Sequence, residues 1–514
     1  MAAGFARSVQ GLSASSKVAC MVLGVACLLG TGYGDPVRTE VRLDIESWYL
    51  DGEFSTIVDR GLPRSEALER PDRLRIVESL ARTGRSSLAD EAFADILRKD
   101  PQSPPVLAVS GWIQFSRGRL QRALELFDTA LNLSPDLGNA LLGKVLLLLY
   151  LRRFDEAAEI YRTFLAVRPG WATYQQAHLV GVELFWAMRD ARGLYDQYSR
   201  RSQSQRRTNK ALGRNTRSTA KLFKSVGDLP LNITRTAGDV VRIPLIRSEP
   251  PSGHLVLELK VEGKVFRVVL DTGNATGWMV HSRDLHDQLG VKRGGRTVAM
   301  IGTEAKGLDG YYIMTKSLPL PDAEIRNLPG IYVPKPYPDF YDANLNPLFI
   351  QDRIVTIDFS ENQLVLRTPE AFSRDFTGGR SDDSVVLPWF GYEQAYVPVR
   401  INGERLGLAL VETGAEDMAL QLDVASELGL PLTPRRRYLA NGQVYDFSQT
   451  AVVVSLDRFL FARKQAEVWP FDRFFNRLSG LRMDVVLGPA VFSNQFSITF
   501  HPFSSTIILR RHGV

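Results

Sequence analysis

FRVVLDTG, residues 266–273, decides the fold of the C-terminal part of this 514-residue chain. An apolar run ends there in an acid, and a threonine and a glycine follow it. A second stretch, GLALVETG at residues 407–414, has the same order. Short apolar runs between glycine-containing turns are typical of buried strands, so each acid is predicted to end a strand. The two triplets are Asp271, Thr272 and Gly273, and Glu412, Thr413 and Gly414.

The residues around the two triplets also repeat in the same order. A turn glycine precedes each triplet, and an apolar-Gly-apolar element follows it at a similar distance. A third element lies 75 residues after the first acid and 76 after the second. These landmarks are Gly263 and Gly403, Leu289-Gly290-Val291 and Leu428-Gly429-Leu430, and Leu345-Asn346-Pro347 and Leu487-Gly488-Pro489. The agreement indicates a tandem duplication, with halves at residues 238–372 and 385–514.

Two carboxyl groups brought together at the duplicated motif have a defined chemistry. When they are close enough to share a proton, one stays protonated while the other is ionised. The ionised group can take a proton from an attacking water, and the protonated group can donate to a developing oxygen. Asp271 and Glu412 are the two acids that the duplication offers for such a pair.

The order of strand, acid-Thr-Gly, helix, apolar-apolar-Gly and final hairpin resembles the retropepsin-like aspartic protease family, with two units in one chain. The resemblance implies an all-β, bilobal fold like that of pepsin and the retropepsins. It also implies that Asp271 and Glu412 are the catalytic pair and activate a water that attacks a peptide carbonyl. The threonine hydroxyls are implied to cross-bond the two loops, and the glycines to allow close backbone approach. The supporting residues implied in this way are Thr272, Gly273, Thr413, Gly414 and Gly488.

The resemblance further implies a flap hairpin over the cleft from each half. A flap would exclude water and hold an extended substrate through backbone hydrogen bonds. The candidates are Met300 to Tyr312 and Tyr438 to Phe447, where Asn441-Gly442 is a strong hairpin turn signal. The flap residues proposed on this basis are Gly302, Gly307, Asn441 and Gly442.

Two departures from the family pattern bear on activity. Glu412 carries one methylene more than aspartate, which adds about 1.5 Å of reach. Asn346 stands where the first half should have the glycine that Gly488 keeps in the second. Three alternatives follow: an active Asp/Glu dyad, two chains that pair their Asp271 halves, or a pseudoprotease that binds without cutting.

The N-terminal part has a different period. Pro101, Pro135 and Pro169 are spaced by 34 residues, which is typical of helix-turn-helix repeats. Small residues and aromatics recur at the same interval, at Ala89, Ala123 and Ala157, and at Phe93, Phe127 and Tyr161. The pattern resembles the tetratricopeptide repeat family and implies helical repeats over residues 70–205. The whole chain is thus predicted to be a multidomain α + β protein.

The resemblance to tetratricopeptide repeats implies a groove that holds a protein partner or a peptide. Between the repeats and the β region, Arg200 to Lys224 contains nine basic residues and no acid. The formal net charge of +6 therefore comes from this one stretch. We interpret residues 206–237 as a basic linker. Because the stretch has few aromatics to stack on bases, no nucleic-acid partner is expected.

The N-terminus is predicted to direct export. Val18 to Leu29 is an apolar run of signal-peptide length that follows basic residues, so residues 1–34 are a signal peptide or a membrane anchor. Gly24-Val25-Ala26-Cys27 loosely resembles a lipobox. The location is therefore predicted to be periplasmic or otherwise extracytoplasmic, with membrane attachment or lipidation as alternatives.

Cysteine and histidine provide no further chemistry. The only cysteines, Cys20 and Cys27, precede the folded body, and the six histidines show no ligand spacing, so neither a metal nor another cofactor is predicted. The predicted function is an aspartic endopeptidase whose substrate is a protein or peptide and whose repeats recruit a protein partner. The alternative is an inactive adaptor that binds peptides or proteins.

Overall fold

In the computed structural model of the protein, helices dominate the described residues from 45 to 224, and strands dominate them from residue 233 onward. The structure describes residues 43–208, 210–248, 253–299, 308–334, 341–376, 383–438, 444–470, 480–492 and 495–513. All elements named below belong to one compact unit, Asp44–Val514. The predicted signal or anchor at residues 1–34 lies outside the described residues. In the described part, no helix combines the length and the apolar character needed to cross a bilayer.

The N-terminal region is a series of helix pairs. In chain order its helices are α1 (Ile45–Leu50), α2 (Phe54–Gly61), α3 (Arg70–Arg82), α4 (Ser86–Lys99), α5 (Pro104–Ser116), α6 (Leu120–Leu133), α7 (Gly138–Tyr150), α8 (Phe154–Val167), α9 (Gln175–Ala187), α10 (Ala191–Thr208) and α11 (Lys210–Lys224). Short 3-10 helices, Leu62–Ala67 and Pro169–Thr173, precede α3 and α9. The pairs α3/α4, α5/α6 and α7/α8 repeat with the period of the prolines.

Small residues allow these helices to pack closely. The recurring alanines at 89, 123 and 157 are fully buried. The ring of Phe127 fills the space between α5 and α7. A methyl group added to Gly111 would lie 2.8 Å from this ring, and one added to Gly143 would lie 2.5 Å from it. Both distances are too short for a Cβ atom, so the repeat contact requires glycine on both helices.

The C-terminal region is rich in strands and forms three sheets. In chain order the strands are β1 (Ile233–Thr236), β2 (Val240–Pro244), β3 (Ile246–Arg247), β4 (Leu255–Val261), β5 (Lys264–Leu270), β6 (Trp278–Val280), β7 (Lys292–Ala299), β8 (Leu308–Leu320), β9 (Ala323–Tyr332), β10 (Ala343–Leu345), β11 (Ile354–Asp358), β12 (Gln363–Arg367), β13 (Ser384–Pro388), β14 (Ala395–Ile401), β15 (Arg405–Val411), β16 (Met418–Gln421), β17 (Thr433–Tyr438), β18 (Val444–Leu456), β19 (Phe459–Trp469), β20 (Val485–Leu487), β21 (Phe496–His501) and β22 (Thr506–Arg511). Short helices between them are α12 (Arg283–Gln288), α13 (Pro369–Asp375), α14 (Leu422–Glu427) and α15 (Pro489–Phe492).

Two of the sheets repeat one topology. The first has the order β3-β4-β5-β10-β6-β9-β8-β7, with β1 beside β9, and the second has the order β14-β15-β20-β16-β19-β18-β17. In each sheet, the strand that leads to the acid pairs in parallel with a short strand, β5 with β10 and β15 with β20. The equivalent order of seven strands shows that the two halves of the duplicated sequence have the same fold.

The third sheet joins the two halves. Its order is β13-β22-β21-β11-β12-β2, so each half contributes three neighbouring strands. At its centre β11 and β21 run antiparallel, and the hydroxyls of Thr356 and Thr499 lie 2.9 Å apart across this pair. A single hydrophobic core extends through all three sheets. The β region is therefore two similar lobes connected by a shared sheet.

The basic segment differs from the linker predicted at residues 206–237. Most of it is the helix α11, and β1 follows and pairs with β9. The inner face of α11 buries Leu222 and Phe223 against α10, and Thr219 Oγ1 accepts a hydrogen bond from Gly295 N of β7 at 3.1 Å. The basic residues of α11 lie on the exposed face of this amphipathic helix.

The helical repeats also pack against the second half. One hydrophobic cluster joins α5 to α9 with residues of the second half, including Tyr392, Tyr396 and Leu408. The ring of Tyr150 lies 5.9 Å from each of these two tyrosine rings. Along α5 and α7, the repeats therefore pack against the chain's own second half.

Candidate active site

The two acids follow equivalent strands. Asp271 follows β5, and its N–H donates to the carbonyl of Leu345 in β10 at 2.9 Å. Glu412 follows β15, and its N–H donates to the carbonyl of Leu487 in β20 at 3.0 Å. Each acid is therefore held at the end of a parallel strand pair, and both side chains are partly buried.

The two threonines connect the loops through four hydrogen bonds. Thr272 Oγ1 donates to the carbonyl of Val411 at 2.7 Å and accepts from Thr413 N at 2.9 Å. Thr413 Oγ1 donates to the carbonyl of Leu270 at 2.7 Å and accepts from Thr272 N at 3.1 Å. Both threonines are almost completely buried. The arrangement is two-fold symmetric and lies within one chain.

The glycines of the two triplets face the opposite acids. A Cβ atom on Gly273 would lie 2.5 Å from Cδ of Glu412, and one on Gly414 would lie 2.6 Å from Cγ of Asp271. Each carboxyl group therefore lies directly over the other loop, where only glycine leaves room. Gly488 has a related role, since a Cβ atom there would lie 2.6 Å from the carbonyl oxygen of Asp417.

The environments of the two acids differ. Asn344 Nδ2 donates to Asp271 Oδ2 at 2.9 Å, and the N–H of Gly273 donates to Asp271 Oδ1 at 3.1 Å. In the second half, Val486 takes the place of Asn344 in the strand beside the acid and has no hydrogen to donate. Asp271 thus accepts hydrogen bonds from two protein donors that have no counterpart at Glu412 within the described residues.

Because of this difference in hydrogen bonding, the two acids differ in pKa. Burial raises the pKa of both, but the hydrogen bonds from Asn344 and Gly273 oppose the rise in the pKa of Asp271. Burial, followed by the charge of Asp271, raises the pKa of Glu412 to about 8. Of the two acids, Glu412 accordingly holds its proton to the higher pH, and Asp271 is the one that ionises first.

Two further residues at the site were not found from the sequence. The ring of His254 lies 3.1 Å, through Nε2, from the carbonyl oxygen of Gly414, and 3.4 Å, through Nδ1, from Tyr341 Oη. Burial lowers the pKa of His254, so the ring is neutral at physiological pH. Both residues lie outside the triplets and belong to no motif, which is why sequence reasoning missed them.

Asn346 supports the site, although the sequence suggested that it damages it. Its side chain is fully buried, and Nδ2 donates to the carbonyls of Asn274 at 2.9 Å and Glu393 at 2.7 Å. Its Oδ1 accepts from Leu348 N at 2.9 Å. The asparagine therefore connects the first acidic loop to the second half, which a glycine could not do.

The two flap candidates lie partly in residue ranges that the structure does not describe, 300–307 and 439–443. The strands on either side of them form antiparallel hairpins, β7 with β8 and β17 with β18. The proposed tip residues Gly302, Gly307, Asn441 and Gly442 lie outside the described residues. The hairpin of β7 and β8 is fixed to α11, since Asn215 Nδ2 donates to the carbonyl of Arg296 at 3.0 Å.

A second pair of carboxyl groups lies where the repeats meet the β region. Glu183 of α9 accepts a hydrogen bond from Tyr392 Oη at 2.5 Å, and it also bonds to Glu393. Burial, and then the charge of Glu183, raises the pKa of Glu393 well above its usual value. Glu393 is consequently the protonated member of this pair.

We expect Glu393→Gln to change the pH dependence of stability. Because the pKa of Glu393 is raised in the folded protein, its contribution is fully present below the unfolded pKa and is lost as pH rises through the folded one. Glutamine keeps the donor without titrating. The free energy of unfolding of the variant should exceed that of the wild type by about 1 kcal/mol near pH 8, with no gain near pH 4.

Urea unfolding at several pH values measures this difference. The exposed Glu404→Gln serves as the control and should follow the wild type throughout. A constant difference between Glu393→Gln and the wild type at every pH would contradict the assignment of the proton to Glu393.

Comparison with known proteins supports the helical region. Residues 74–137 match the tetratricopeptide repeat family, which covers the pairs α3/α4 and α5/α6. No curated protein matches the chain in sequence.

Among the described residues, no group of three or more histidine, cysteine, aspartate or glutamate side chains is placed to hold a metal ion.

Several solved structures are similar to parts of the chain. Basic 7S globulin from soybean is 9% identical, with 53% of this chain and 96% of that chain covered and a TM-score of 0.31. The structure titled MamA MSR-1 C2 is 15% identical, covers 35% and 98%, and has a TM-score of 0.19. A tetratricopeptide repeat protein from Parabacteroides merdae ATCC 43184 is 18% identical, covers 37% and 82%, and also scores 0.19. These scores are too low to assign a fold.

Proposed function

We propose that the chain is an aspartic endopeptidase with a bilobal fold like that of pepsin. The observation that carries the proposal is the pair of acid-Thr-Gly loops, cross-bonded by their threonines, with each carboxyl group over the glycine of the other loop. A structural role alone does not require two partly buried acids to face each other at the ends of equivalent strands.

The two acids have different roles in the proposed reaction. Asp271, ionised and supported by Asn344, takes a proton from a water held between the carboxyl groups as that water attacks the peptide carbonyl. Glu412, protonated because burial and the charge of Asp271 raise its pKa, donates its proton to the carbonyl oxygen. The proton taken by Asp271 then passes to the leaving amine and the peptide bond breaks. One hydroxyl of the tetrahedral intermediate returns its proton to Glu412, which leaves the product carboxylic acid and restores the pair.

The longer side chain of Glu412 is compatible with this role. Its Cγ and Cδ occupy the space over Gly273, so the extra methylene lies along the opposite loop. The alternative of two chains that pair their Asp271 halves is disfavoured, because within this chain Thr272 already forms its bonds with the loop of Thr413. The competing function is a binding scaffold that holds a peptide without cutting it.

The proposal is tested by incubating the protein with a diverse peptide library and reading the products by mass spectrometry from acid to neutral pH. The expected result is cleavage at preferred sequences that a pepstatin-type inhibitor suppresses. A folded protein that binds peptides from the library and cuts none at any pH would establish the scaffold instead.

We expect Asn344→Val to move the acid limb of the pH profile. The substitution copies Val486 and removes the donor that lowers the pKa of Asp271. Because the reaction needs ionised Asp271, kcat/KM should fall about tenfold at pH values below the optimum. The alkaline limb, which depends on the protonated Glu412, should stay in place.

The reciprocal Val486→Asn is the matched variant. It places a donor beside Glu412, which lowers the pKa of that group, so the alkaline limb should move to lower pH. If both variants changed kcat/KM equally at all pH values, the assignment of ionised and protonated roles would be wrong.

A further inference from the structure

One side chain from each half reaches across to the triplet of the other half. His254 directly precedes β4, and Gln394 directly precedes β14, which is the equivalent strand of the second half. His254 Nε2 lies 3.1 Å from the carbonyl oxygen of Gly414. Gln394 Nε2 donates to the carbonyl of Gly273 at 2.7 Å. The two contacts therefore occupy equivalent positions in the two halves.

The two side chains offer the same hydrogen-bonding groups. A carbonyl oxygen only accepts, so Nε2 of His254 carries the hydrogen, and Nδ1 of the neutral ring is then an acceptor. Tyr341 Oη lies 3.4 Å from this Nδ1. Gln394 has the same arrangement, because its Oε1 accepts from Tyr396 Oη at 2.7 Å. Each side chain thus directs one donor at a triplet glycine and one acceptor at a tyrosine hydroxyl.

The surroundings of His254 favour the neutral ring that this arrangement needs. Burial lowers its pKa, and this effect exceeds the opposite effects of the bond to Gly414 and of the charges of Asp271 and Glu416. A neutral imidazole with its hydrogen on Nε2 has one donor and one acceptor, as the end of a glutamine side chain does.

Each contact holds a glycine that also touches a carboxyl group. The backbone of Gly414 lies so close to the carboxyl group of Asp271 that a Cβ atom would not fit between them. Asp271 and His254 belong to the same half, so the first half contacts this glycine at two points. Glu412 and Gln394 contact the other triplet glycine in the same way. The threonine bonds fix the residues before the two glycines, whereas these bonds fix the glycines themselves.

We propose that His254 and Gln394 are a pair of positioning residues that fix the two triplet glycines and, with them, the distance between Asp271 and Glu412. Their effect on catalysis rests on the proposed endopeptidase function, but the hydrogen bonds can be tested without activity. Neither side chain takes part in the proton transfers. Because the two have the same role, each half shows which substitution the other should accept.

The first test compares substitutions that keep or remove the donor. His254→Gln supplies an amide like that of Gln394 and should retain most of kcat. His254→Leu and Gln394→Leu have no donor, and kcat should fall about tenfold in each, because small displacements of the reacting groups are costly. KM should stay nearly constant, since the lost bond joins two parts of the protein.

The pH profile distinguishes misplaced carboxyl groups from general damage. The charge of Asp271 raises the pKa of Glu412 only while the two groups are close. The alkaline limb, which depends on protonated Glu412, should therefore move to lower pH in both leucine variants and stay in place in His254→Gln.

The control is His281→Leu. His281 is a buried histidine of the first half, and its Nδ1 lies 3.0 Å from the carbonyl oxygen of Val333, which directly follows β9. This variant should lower stability to urea without moving the alkaline limb. If it moved the limb as far as His254→Leu does, or if His254→Gln lost as much kcat as His254→Leu, the positioning role would be wrong.

Nuclear magnetic resonance tests the bond whether or not the protein cuts peptides. The chain has six histidines, so selective isotope labelling gives a small set of ring signals. The signals that disappear in His254→Gln belong to His254 and should show its hydrogen on Nε2 at neutral pH. A hydrogen on Nδ1 would overturn the proposal. In a protein that cuts no peptide, the expected signals and a lower urea midpoint for His254→Leu than for His254→Gln would support the bond and reject the endopeptidase instead.

Discussion

Asp271→Asn should abolish peptide cleavage while leaving the fold intact. Asparagine has the same shape as aspartate, but it cannot take a proton from the attacking water. General acid and base catalysis contributes about 10²- to 10⁴-fold, so a drop of on the order of 10³-fold or more in kcat/KM is expected. The variant should also be no less stable than the wild type near pH 8, because one of two repelling acids has been removed.

The matched control is Asp358→Asn. Asp358 ends β11 in the shared sheet, where Oδ1 accepts from Ser360 N at 3.0 Å, and asparagine can accept the same bond. Cleavage by this variant should equal that of the wild type. The measurement is kcat/KM on the best peptide from the library, with circular dichroism as the check on folding. Full activity of Asp271→Asn would show that the carboxyl pair is not the catalytic group.

The duplication of the β region was predictable from the sequence because the residues that mark it are required by the backbone conformation. Gly290 and Gly429, for example, both have positive φ, at 57° and 60°, directly after equivalent short helices. A positive φ favours glycine whatever side chains surround the position, so glycine is present at this position in both halves. The same reasoning explains why the triplets themselves were recognisable.

Long-range contacts were not predictable in this way. Asn346 was interpreted as a defect because a local pattern cannot show that its amide reaches Glu393, which lies 47 residues later. Asn344, His254 and Tyr341 belong to no repeat, and their role depends on which strands become neighbours. The residues that distinguish the two acids therefore had to come from the structure.

The interface between the repeats and the second half was also not predictable, because it too depends on contacts between residues far apart in the sequence. Gly84 and Gly118 have positive φ at equivalent positions of two repeats, and Arg152 takes the same conformation in the third, at 59°. Arginine is disfavoured there, yet its guanidinium lies 3.8 Å from the centre of the Trp389 ring and donates to the carbonyl of Gly391 at 3.1 Å. The exception to the repeat pattern is thus one of the residues that contact the second half.

Thr272→Val should have a large effect on both stability and activity. The substitution keeps the shape and removes the hydroxyl, which leaves the carbonyl of Val411 and the N–H of Thr413 buried without their partners. Each such group costs about 1–3 kcal/mol, so the free energy of unfolding should fall by about 2–6 kcal/mol. Because the two acids are then no longer held in register, kcat/KM should fall on the order of 100-fold.

Two control variants distinguish a loss of activity caused by misplaced carboxyl groups from one caused by lower stability. Thr272→Ser keeps the hydroxyl and should retain most of the activity. Thr356→Val removes a buried hydroxyl from the shared sheet, where Thr499 and Arg367 are its partners, and should lower stability without a comparable loss of kcat. Urea unfolding and kcat/KM are measured for all three variants. If Thr356→Val and Thr272→Val lost activity in equal proportion to their stability, the threonine bonds would be ordinary core contacts. A loss of kcat specific to Thr272→Val, restored by serine, would instead show that these four bonds hold the two carboxyl groups in working geometry.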